Sequence, residues 1–496
     1  MSRARGQLIT LHEPEVERRT VTFRWSLDPP SELYRRTSFR LAFPEAVAIE
    51  RVPLGLWWRL GLICIYPQLA LLAPCRVELP IALGAREREF WLRMLDAMAA
   101  NIAAYGGAPW PRRLVEIVDA GPPMPPRPLE SRTDRVTAAF SGGKDSLVQA
   151  ALLAELGPEP ILVTVRSPVD WSVDHASAAR DRAIAGIERR RSVEVVSVDS
   201  DFRSCWNNDF ALSARGYRMA VNELCDVLLY QACTLAVAAA AGSSRAFLAA
   251  EAELQYNARV GGSVVQHPHF TCSGTTQAAL SALLAPHGLG IGSLTCPLHM
   301  PQVMSLLWRR YRDLADLQFS CWQAADGAQA CSGCGQCSQV GLAILSEGFT
   351  PRPAGIDPVS VLLLGDSLWP AKAPQGGPAL HPTRSPHDKY HDWLAAAPPR
   401  TVAAILERDT AAAADPRRER ALASYAELHA RVLARPLPPP GGYAAPLLEL
   451  VPDDLREPLR AIFDRHLDAA PDADFAAMLA RARLLAGWIS APLCRR

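Results

Sequence analysis

The segment that most constrains this chain is short and combines glycines with hydroxyl groups: Ser141-Gly142-Gly143-Lys144-Asp145-Ser146. It follows an apolar run at 136–140 that is typical of a strand and leads into a pattern at 146–156 that is typical of a helix. Adjacent glycines let the backbone adopt conformations closed to other residues and approach a ligand closely. Because the first amides of a helix have no acceptor within it, a loop in this position predicts an anion site.

The side chains of this loop narrow the kind of anion. Ser141 and Ser146 offer hydroxyl donors, and Lys144 offers a positive charge. The loop is not a Walker A motif, which requires Gly-Lys-Ser/Thr, because Asp145 follows the lysine here. A carboxylate in a phosphate loop is unfavourable by itself, so we expect Asp145 either to cap the helix or to help place Mg²⁺.

Strands and helices alternate around the loop. Apolar runs predict strands at 136–140, 161–165, 193–198 and 246–250, with helices at 146–156, 177–191 and 222–241. This order predicts an α/β fold with a doubly wound parallel sheet over residues 131–350. For residues 1–130 the sequence predicts a separate α+β region that ends in a proline-rich linker. For residues 351–496 it predicts a helical accessory region.

Acidic residues follow two of the predicted strands. Asp199 and Asp201 come after the third strand, and Glu251 and Glu253 come after the fourth. Ligands of such sheets collect beyond the carboxyl ends of the strands. These carboxylates are therefore candidates to bind Mg²⁺, with the solvated loop charge as the alternative for each.

Four of the twelve cysteines form a regular cluster with the spacing C-x9-C-x2-C-x2-C: Cys321, Cys331, Cys334 and Cys337. No apolar export signal follows the first residues, and in such a chain clustered cysteines favour metal binding over disulfides. Four thiolates suit Zn²⁺ and leave no open position, which predicts a structural site. An iron–sulfur cluster is the alternative.

The amino-acid composition limits the classes of partner that we expect the protein to bind. Lys and Arg number 52 and Asp and Glu number 51, so the formal net charge of +1 does not indicate a nucleic-acid binder. The arginine runs 189–191 and 309–310 are short and are typical of solvated helix faces. Two uncharged stretches, 60–75 and 227–244, are interrupted by polar residues or proline and are expected to be buried elements rather than membrane spans. We expect a cytoplasmic protein.

The loop resembles the signature Ser-Gly-Gly-x-Asp-Ser of the PP-loop ATP pyrophosphatases and matches it at every specified position. The resemblance implies that the loop holds the β- and γ-phosphates of ATP, that ATP is cleaved between the α- and β-phosphates, and that adenine lies near Val163 to Val165. We expect Lys144, Asp145 and Glu251 to be the catalytic residues, with ATP and Mg²⁺ bound at the loop and at Val163.

Loop and cysteines together resemble two families within that group. A PP-loop followed about 180 residues later by this cluster is similar to the 7-cyano-7-deazaguanine synthases and to the longer ATP-dependent UDP-N-acetylmuramoyl-L-alanyl-L-glutamate epimerases. A Pro297-Leu298 step, a helix at 302–314 and the run 319–322 precede or begin the cluster, as in both families. The extra regions before and after the central domain favour the epimerases. The resemblance implies a carboxylate substrate, either the terminal L-glutamate of that peptidoglycan precursor or a related compound of specialised metabolism.

The epimerase hypothesis has a consistent chemistry. Adenylation removes the negative charge of the carboxylate, so the neighbouring α-proton becomes more acidic and a base can remove it. Candidates for the base, by location only, are His267, His269, His299, Glu251 and Tyr256. The alternatives are attack by ammonia to give an amide or nitrile, sulfur or nitrogen transfer to tRNA, and a regulatory ATP-binding scaffold without catalysis. The sequence leaves the oligomeric state open.

Overall fold

The computed structural model describes most of the chain, and every structural statement below concerns these residues: 6–106, 115–131, 133–167, 174–207, 209–210, 221–260, 263–267, 269–321, 323–324, 327–371, 388–434 and 442–469.

One large sheet of eleven strands runs through the molecule in the order β13-β10-β7-β8-β9-β4-β3-β1-β5-β6, with β2 paired to β3, and a separate hairpin joins β11 to β12. The strands are β1 (Gln7–Leu11), β2 (Glu15–Glu17), β3 (Thr20–Asp28), β4 (Ser38–Ala42), β5 (Cys75–Leu79), β6 (Val115–Asp119), β7 (Val136–Ala139), β8 (Pro160–Arg166), β9 (Glu194–Ser200), β10 (Arg245–Phe247), β11 (Asn257–Val260), β12 (Ser263–Gln266) and β13 (Gly290–Gly292).

The five strands from β13 to β9 are all parallel to one another. In chain order they take the spatial order 3-2-1-4-5 from one side, which is that of a doubly wound sheet, and the order reverses between β7 and β10. The predicted α/β class is confirmed. The sequence did not predict β13, and the strand expected at 246–250 is shorter and ends at Phe247.

The first 130 residues extend this same sheet. Leu41 and Ala42 of β4 pair antiparallel with Ser200 and Asp199 of β9. Beyond β4, the strands β3 and β1 alternate in direction, and β1, β5 and β6 are parallel to one another. The N-terminal region is α+β, as expected, and is joined to the central region by strand pairing. The boundaries at 130 and 350 stay predictions.

The helices are α1 (Leu54–Leu71), α2 (Ala85–Gly106), α3 (Lys144–Leu156), α4 (Asp174–Arg190), α5 (Val221–Ala241), α6 (Gly274–Leu284), α7 (Met300–Ser305), α8 (Arg312–Ala315), α9 (Gly335–Ser346), α10 (Pro358–Ala371), α11 (Asp388–Ala396), α12 (Pro399–Arg408), α13 (Thr410–Ala413), α14 (Arg418–Leu433) and α15 (Asp453–His466). A π-helical turn at Leu306–Arg310 joins α7 to α8, so the helix expected at 302–314 is present in three segments.

Both faces of the parallel half are covered. Successive residues of a strand point to opposite faces, and accordingly Ala139 and Val163 belong to one hydrophobic core while Ala138 and Leu162 belong to the other. The first core includes α1, α2 and α5, and the second includes α3, α4 and the C-terminal helices. Because both faces of this half are covered, a ligand would approach it at the ends of the strands.

Helix α1 is the one described helix with the length and hydropathy to cross a membrane, and 94% of its apolar window is buried inside the protein. It packs against α5, which contains most of the other apolar stretch. Both stretches are thus core helices within this fold, as the sequence predicted for them. The cytoplasmic location stays a prediction.

Candidate functional site

The loop at 141–146 lies at the carboxyl end of β7, where the strand order reverses. Gly142 has φ +80°, a left-handed conformation that favours glycine, and a Cβ there would meet the Cβ of Ala183 at 3.2 Å. The preceding amide, that of Phe140, donates a hydrogen bond of 2.8 Å to the carbonyl of Val163 on β8. The loop is therefore fixed at its start by the sheet and turned by a glycine where a side chain would be strained.

The amides of the loop lack strong protein acceptors. Helix α3 begins at Lys144 with Gly143 as its N-cap and without a side-chain cap. The amide of Gly143 lies 3.4 Å from Ser141 Oγ, and no described residue accepts from the amides of Gly142, Lys144, Asp145 or Ser146. Ser146 Oγ donates back to the carbonyl of Gly143 at 3.0 Å. A cluster of open amides at the positive end of a helix is suited to bind an anion.

Lys144, which is buried, and the half-buried Asp145 and Glu251 form an ionic cluster beside these amides. The ammonium of Lys144 donates to both oxygens of Asp145 at 2.8 Å and to Oε1 of Glu251. The Lys144 side chain is only 8% exposed. Asp145 thus does not cap the helix, one of its two expected roles. Two carboxylates share one ammonium, so the cluster carries a net negative charge when both carboxylates are ionised.

The electrostatics of this cluster follow from burial and crowding. Burial and, next to it, the neighbouring Glu251 carboxylate raise the pKa of Asp145 to about 7, because Lys144 lowers it by less than these two raise it. Burial alone would lower the pKa of Lys144, but the carboxylates of Asp145 and Glu251 raise it above its ordinary value. A second cation beside Asp145 and Glu251 would relieve this excess of negative charge.

Glu251 is held in place by the chain that follows β13. The amide of Ala250 donates hydrogen bonds of 3.0 Å to the hydroxyl oxygens of Ser293 and Thr295. The amide of Ala252 donates to the carbonyl of Leu298 at 2.8 Å. These contacts fix the backbone on each side of Glu251. The Pro297-Leu298 step that carried the sequence resemblance therefore supports the acidic residue facing the loop.

Arg180 and Ser167 were missed by the sequence analysis. Arg180 on α4 is 1% exposed, and Nη1 donates to the carbonyl of Val165 at 2.7 Å. No described carboxylate pairs with it, and its Nε and the Oγ of buried Ser167 have no partner among the described residues. Arg180 is one helical turn before Ala183, which packs against Gly142. A buried cation without a counter-charge among the described residues, on the helix that packs against the loop, is suited to an anionic ligand.

Val163 is fully buried in a core, and its carbonyl is used by Phe140. Its contact with adenine stays a prediction. Of the other acidic candidates, Asp201 is bonded to Arg36 and to the amide of Arg40, and Asp199 lies in β9 opposite Ala42. No described contact joins Asp199, Asp201 or Glu253 to Lys144. Of the four, only Glu251 joins the loop.

The histidine and tyrosine candidates for the base have contacts of their own. His299 Nε2 lies 2.8 Å from the hydroxyl of Tyr256, and His299 Nδ1 lies 3.3 Å from the carbonyl of Gly442. The rings of His267 and His269 lie 5.7 Å apart, and burial lowers the pKa of His269. None of these side chains has a described contact with Lys144, Asp145 or Glu251, so a base for proton abstraction stays unassigned.

The four predicted metal ligands converge. The sulfurs of Cys321, Cys331, Cys334 and Cys337 all lie within 4.8 Å of one another. Two pairs, 321 with 334 and 331 with 337, have Sγ–Sγ distances of 3.9 Å. Sulfurs about 2.3 Å from a tetrahedral zinc would be roughly 3.8 Å apart. Burial raises the pKa of Cys337, so a cation is needed to stabilise its thiolate. The cluster could hold a metal ion such as zinc.

Backbone amides support the sulfurs. The amide of Cys331 donates to the Sγ of Cys321, that of Gly333 to Cys331, and that of Cys337 to Cys334, each at 3.4 Å. The loop 331–334 leads directly into α9, whose N-cap is Cys334 and whose first turn contains Cys337. This arrangement is typical of a structural metal site.

The arginine runs are used within the protein. Arg190 pairs with Asp316 and Arg191 with Asp313, tying α4 to the segment around α8. Arg309 pairs with Glu347, and Arg310 pairs with Glu155 of α3. Each of these four side chains is paired with a carboxylate of the same chain. The expectation that the chain does not bind nucleic acid stays a prediction.

No family model matches the chain, and neither a curated protein nor a solved structure matches it. The function is therefore inferred from the geometry of the site and from the resemblance of its motifs.

Proposed function

We propose that the chain binds ATP at the 141–146 loop and cleaves it to AMP and pyrophosphate in order to activate a carboxylate. The observation that carries this proposal is the cluster of open amides at the start of α3, beside Lys144, Asp145 and Glu251 at the point where the strand order reverses. Anionic ligands of doubly wound sheets bind at this place.

Each residue has a role in this proposal. The amides of the loop and the hydroxyls of Ser141 and Ser146 bind the terminal phosphates. Asp145 and Glu251 fit Mg²⁺, since two carboxylates face one ammonium and exceed it in charge. The ion would neutralise the phosphates and the developing pyrophosphate. Arg180 supplies a further positive charge whose pairing is completed only when an anion is bound.

The fate of the activated carboxylate is proposed from the resemblance. We infer epimerisation of the terminal L-glutamate of UDP-N-acetylmuramoyl-L-alanyl-L-glutamate or of a related substrate, because the motifs and chain length together fit the epimerases. Formation of an amide or nitrile uses the same first step. Incorporation of deuterium from D₂O at the α-carbon supports the former, and turnover that depends on ammonia supports the latter.

Zn²⁺ is the metal that we propose for the cysteine cluster. Four sulfurs at tetrahedral spacing, bonded by backbone amides and close to a helix start, form a closed shell without a position for substrate. An iron–sulfur cluster would instead give visible absorption in protein purified without oxygen.

A pyrophosphate-release assay tests the main proposal. Purified protein is incubated with Mg²⁺-ATP and, in turn, with UDP-N-acetylmuramoyl-L-alanyl-L-glutamate, carboxydeazaguanine or free amino acids. At least one acid should release pyrophosphate and AMP in equal amounts, and Lys144→Met should abolish the release. The matched control is Arg182→Gln, an exposed cation on α4 without a described partner. Failure of the wild type to bind ATP would reject the proposal.

A further inference from the structure

A second α/β unit lies in the same sheet and runs against the unit that carries the 141–146 loop. Strands β1, β5 and β6 are parallel to one another, and α2 connects β5 to β6. Three successive antiparallel pairs separate β1 from β9, so the carboxyl ends of β5 and β6 lie at the opposite end of the strands from the loop. Because ligands of parallel units collect beyond the carboxyl ends of the strands, this end is a second place for a ligand.

A cavity of about 320 Å³ lies at that end of the sheet. Its wall includes Ala82 and Pro123, which pair in a parallel bridge just after β5 and β6. The amide of Ala82 donates to the carbonyl of Pro122 at 2.9 Å. A Cβ on Gly121 would meet the carbonyl oxygen of Pro80 at 1.9 Å, so a glycine is needed for the two loops to approach this closely. The loops beside the cavity are therefore joined through their backbones.

The chain after β6 borders the cavity as a proline-rich strap, residues 122–129. The bond between Pro122 and Ala82 holds its start, and at its end the amide of Leu129 donates to the carbonyl of His287 at 2.9 Å. Proline has no amide hydrogen, so the middle of the strap needs few acceptors. The strap is thus held at both ends, and between them three of its prolines line the cavity: Pro123, Pro125 and Pro126.

The charged residues of the wall are two arginines and one glutamate, Arg59, Arg86 and Glu87, so its net charge is positive. Arg59 and Glu87 are bonded at 2.6 Å and neutralise each other, and Arg86 is half-buried. Burial and, next to it, the charge of Arg59 lower the pKa of His287, also on the wall, to about 4, which keeps this ring neutral. The wall therefore favours an anion over a cation.

The start of α2 adds to this positive charge. Gly84, just before the helix, lines the cavity together with Arg86 and Glu87 of the first turn. No described residue accepts a hydrogen bond from the backbone amides of Ala85 or Glu87. The positive end of a helix of 22 residues thus lies at the same part of the wall as the guanidinium of Arg86.

We propose that this cavity is a second binding site, separate from the nucleotide loop, for a small organic carboxylate with an apolar body. The carboxylate pairs with Arg86 beside the start of α2, and the prolines of the strap, Met124 and Leu283 contact the body. An anion that carries apolar surface matches a wall of this composition better than an inorganic ion does. The volume is at the lower end of that of sites for small molecules and suits a body of a single ring.

Ligand-observed NMR with benzoate, benzamide and acetate at pH 8 tests the proposal on the full chain. Benzamide has nearly the shape of benzoate without its charge, and acetate has the charge without the ring. Benzoate should bind about tenfold more tightly than either. Saturating Mg²⁺-ATP should leave the binding of benzoate unchanged. No binding of benzoate at millimolar concentration, equal binding of benzamide, or competition by ATP would each overturn the proposal.

Two variants and a control locate the binding. Arg86→Met retains an apolar stem without the charge, so it should raise the Kd for benzoate about tenfold and leave that for benzamide unchanged. Ala282 is half-buried on the wall, so Ala282→Phe should fill the cavity and abolish binding of benzoate. Arg93→Gln removes an exposed charge of the same helix outside the wall and should bind like the wild type. Unchanged binding of benzoate in Arg86→Met or in Ala282→Phe would contradict the site.

Discussion

The backbone amide of Phe319 donates a hydrogen bond of 2.8 Å to the carbonyl oxygen of Gly142. Phe319 lies two residues before Cys321, the first sulfur of the metal cluster, and its side chain packs against Ala179 of α4. The segment that closes the cysteine cluster is thus also the segment that supports the glycine turn. The proposed structural metal and the proposed nucleotide loop are mechanically connected through one short stretch of chain.

Loss of the metal should therefore weaken nucleotide binding without any change in the loop sequence. Cys334→Ser should lower the content of zinc from about one ion per chain and raise the Kd for ATP about tenfold, as expected from one hydrogen bond worth ~1.4 kcal/mol. Elemental analysis and calorimetric titration measure the two quantities. Cys272→Ser, at a buried thiol outside the cluster, is the control for loss of a sulfur. Normal ATP binding in metal-free, folded protein would disprove the connection.

The two glycines of the loop should differ in their tolerance of a side chain. Gly142→Ala requires a left-handed alanine, which costs ~1–2 kcal/mol, and brings its Cβ to 3.2 Å from that of Ala183. At Gly143 the φ is negative, and the nearest atoms to a Cβ are 3.4 Å or more away. We expect Gly142→Ala to lower both the Tm and ATP affinity more than Gly143→Ala does. Equal effects of the two substitutions on the Tm would contradict the role of the turn.

The sequence predicted what depends on local spacing. The loop and the cysteine cluster each lie within a short stretch whose residue types and separation fix the chemistry. Strands β7 and β8 were found from apolar runs because strands buried on both faces are continuously apolar. Strand β9, with exposed Glu194 and Asp199, was found from its valines. The three-residue strand Gly290–Gly292 has no such run, and its place in the sheet comes from pairing with β10.

Properties that depend on distant pairing could not be predicted. The joining of β4 to β9 brings together residues near 42 and 199, and no pattern in either strand encodes this. Arg180 lies in a helix with several other arginines, and the sequence does not distinguish it from the exposed Arg182. Its burial depends on the fold, which brings its guanidinium to the carbonyl of Val165 on β8. The partnership of Lys144 with Glu251, 107 residues later, likewise requires the fold.

Substitution of Arg180 distinguishes a role in anion binding from a purely structural role. A buried cation without a carboxylate destabilises the ligand-free protein, and a bound anion compensates for it. Arg180→Gln should therefore raise the Kd for ATP by tenfold or more, while the Tm of the ligand-free protein stays the same or rises. Thermal melts with and without Mg²⁺-ATP measure both effects. Arg182→Gln should change neither, and a large fall in the ligand-free Tm of Arg180→Gln would indicate a structural arginine instead.

Glu251 should control the dependence on Mg²⁺. Glu251→Gln removes one of the two carboxylates facing Lys144, so more Mg²⁺ should be needed for half-maximal pyrophosphate release, and the maximal rate should fall. Glu253→Gln, two residues further on the same segment, should retain the wild-type Mg²⁺ curve. The curve is measured at fixed ATP with increasing Mg²⁺. A shift in the second variant and not in the first would move the proposed metal ligand from Glu251 to Glu253.

His287 should make the protein less stable in mild acid. Its folded pKa of about 4, caused by burial and by Arg59, lies below the unfolded value of about 6.5. Between these values the unfolded state binds a proton that the native state does not, so stability falls as the pH falls. From pH 7 to pH 5 this histidine should lower the free energy of unfolding by about 2 kcal/mol. Because the side chain in His287→Gln does not titrate, the free energy of unfolding of this variant should fall by about 2 kcal/mol less over the same range. Urea unfolding of both proteins at pH 5, 6 and 7 measures the difference. Parallel pH dependences would show that the ring is protonated in the native state.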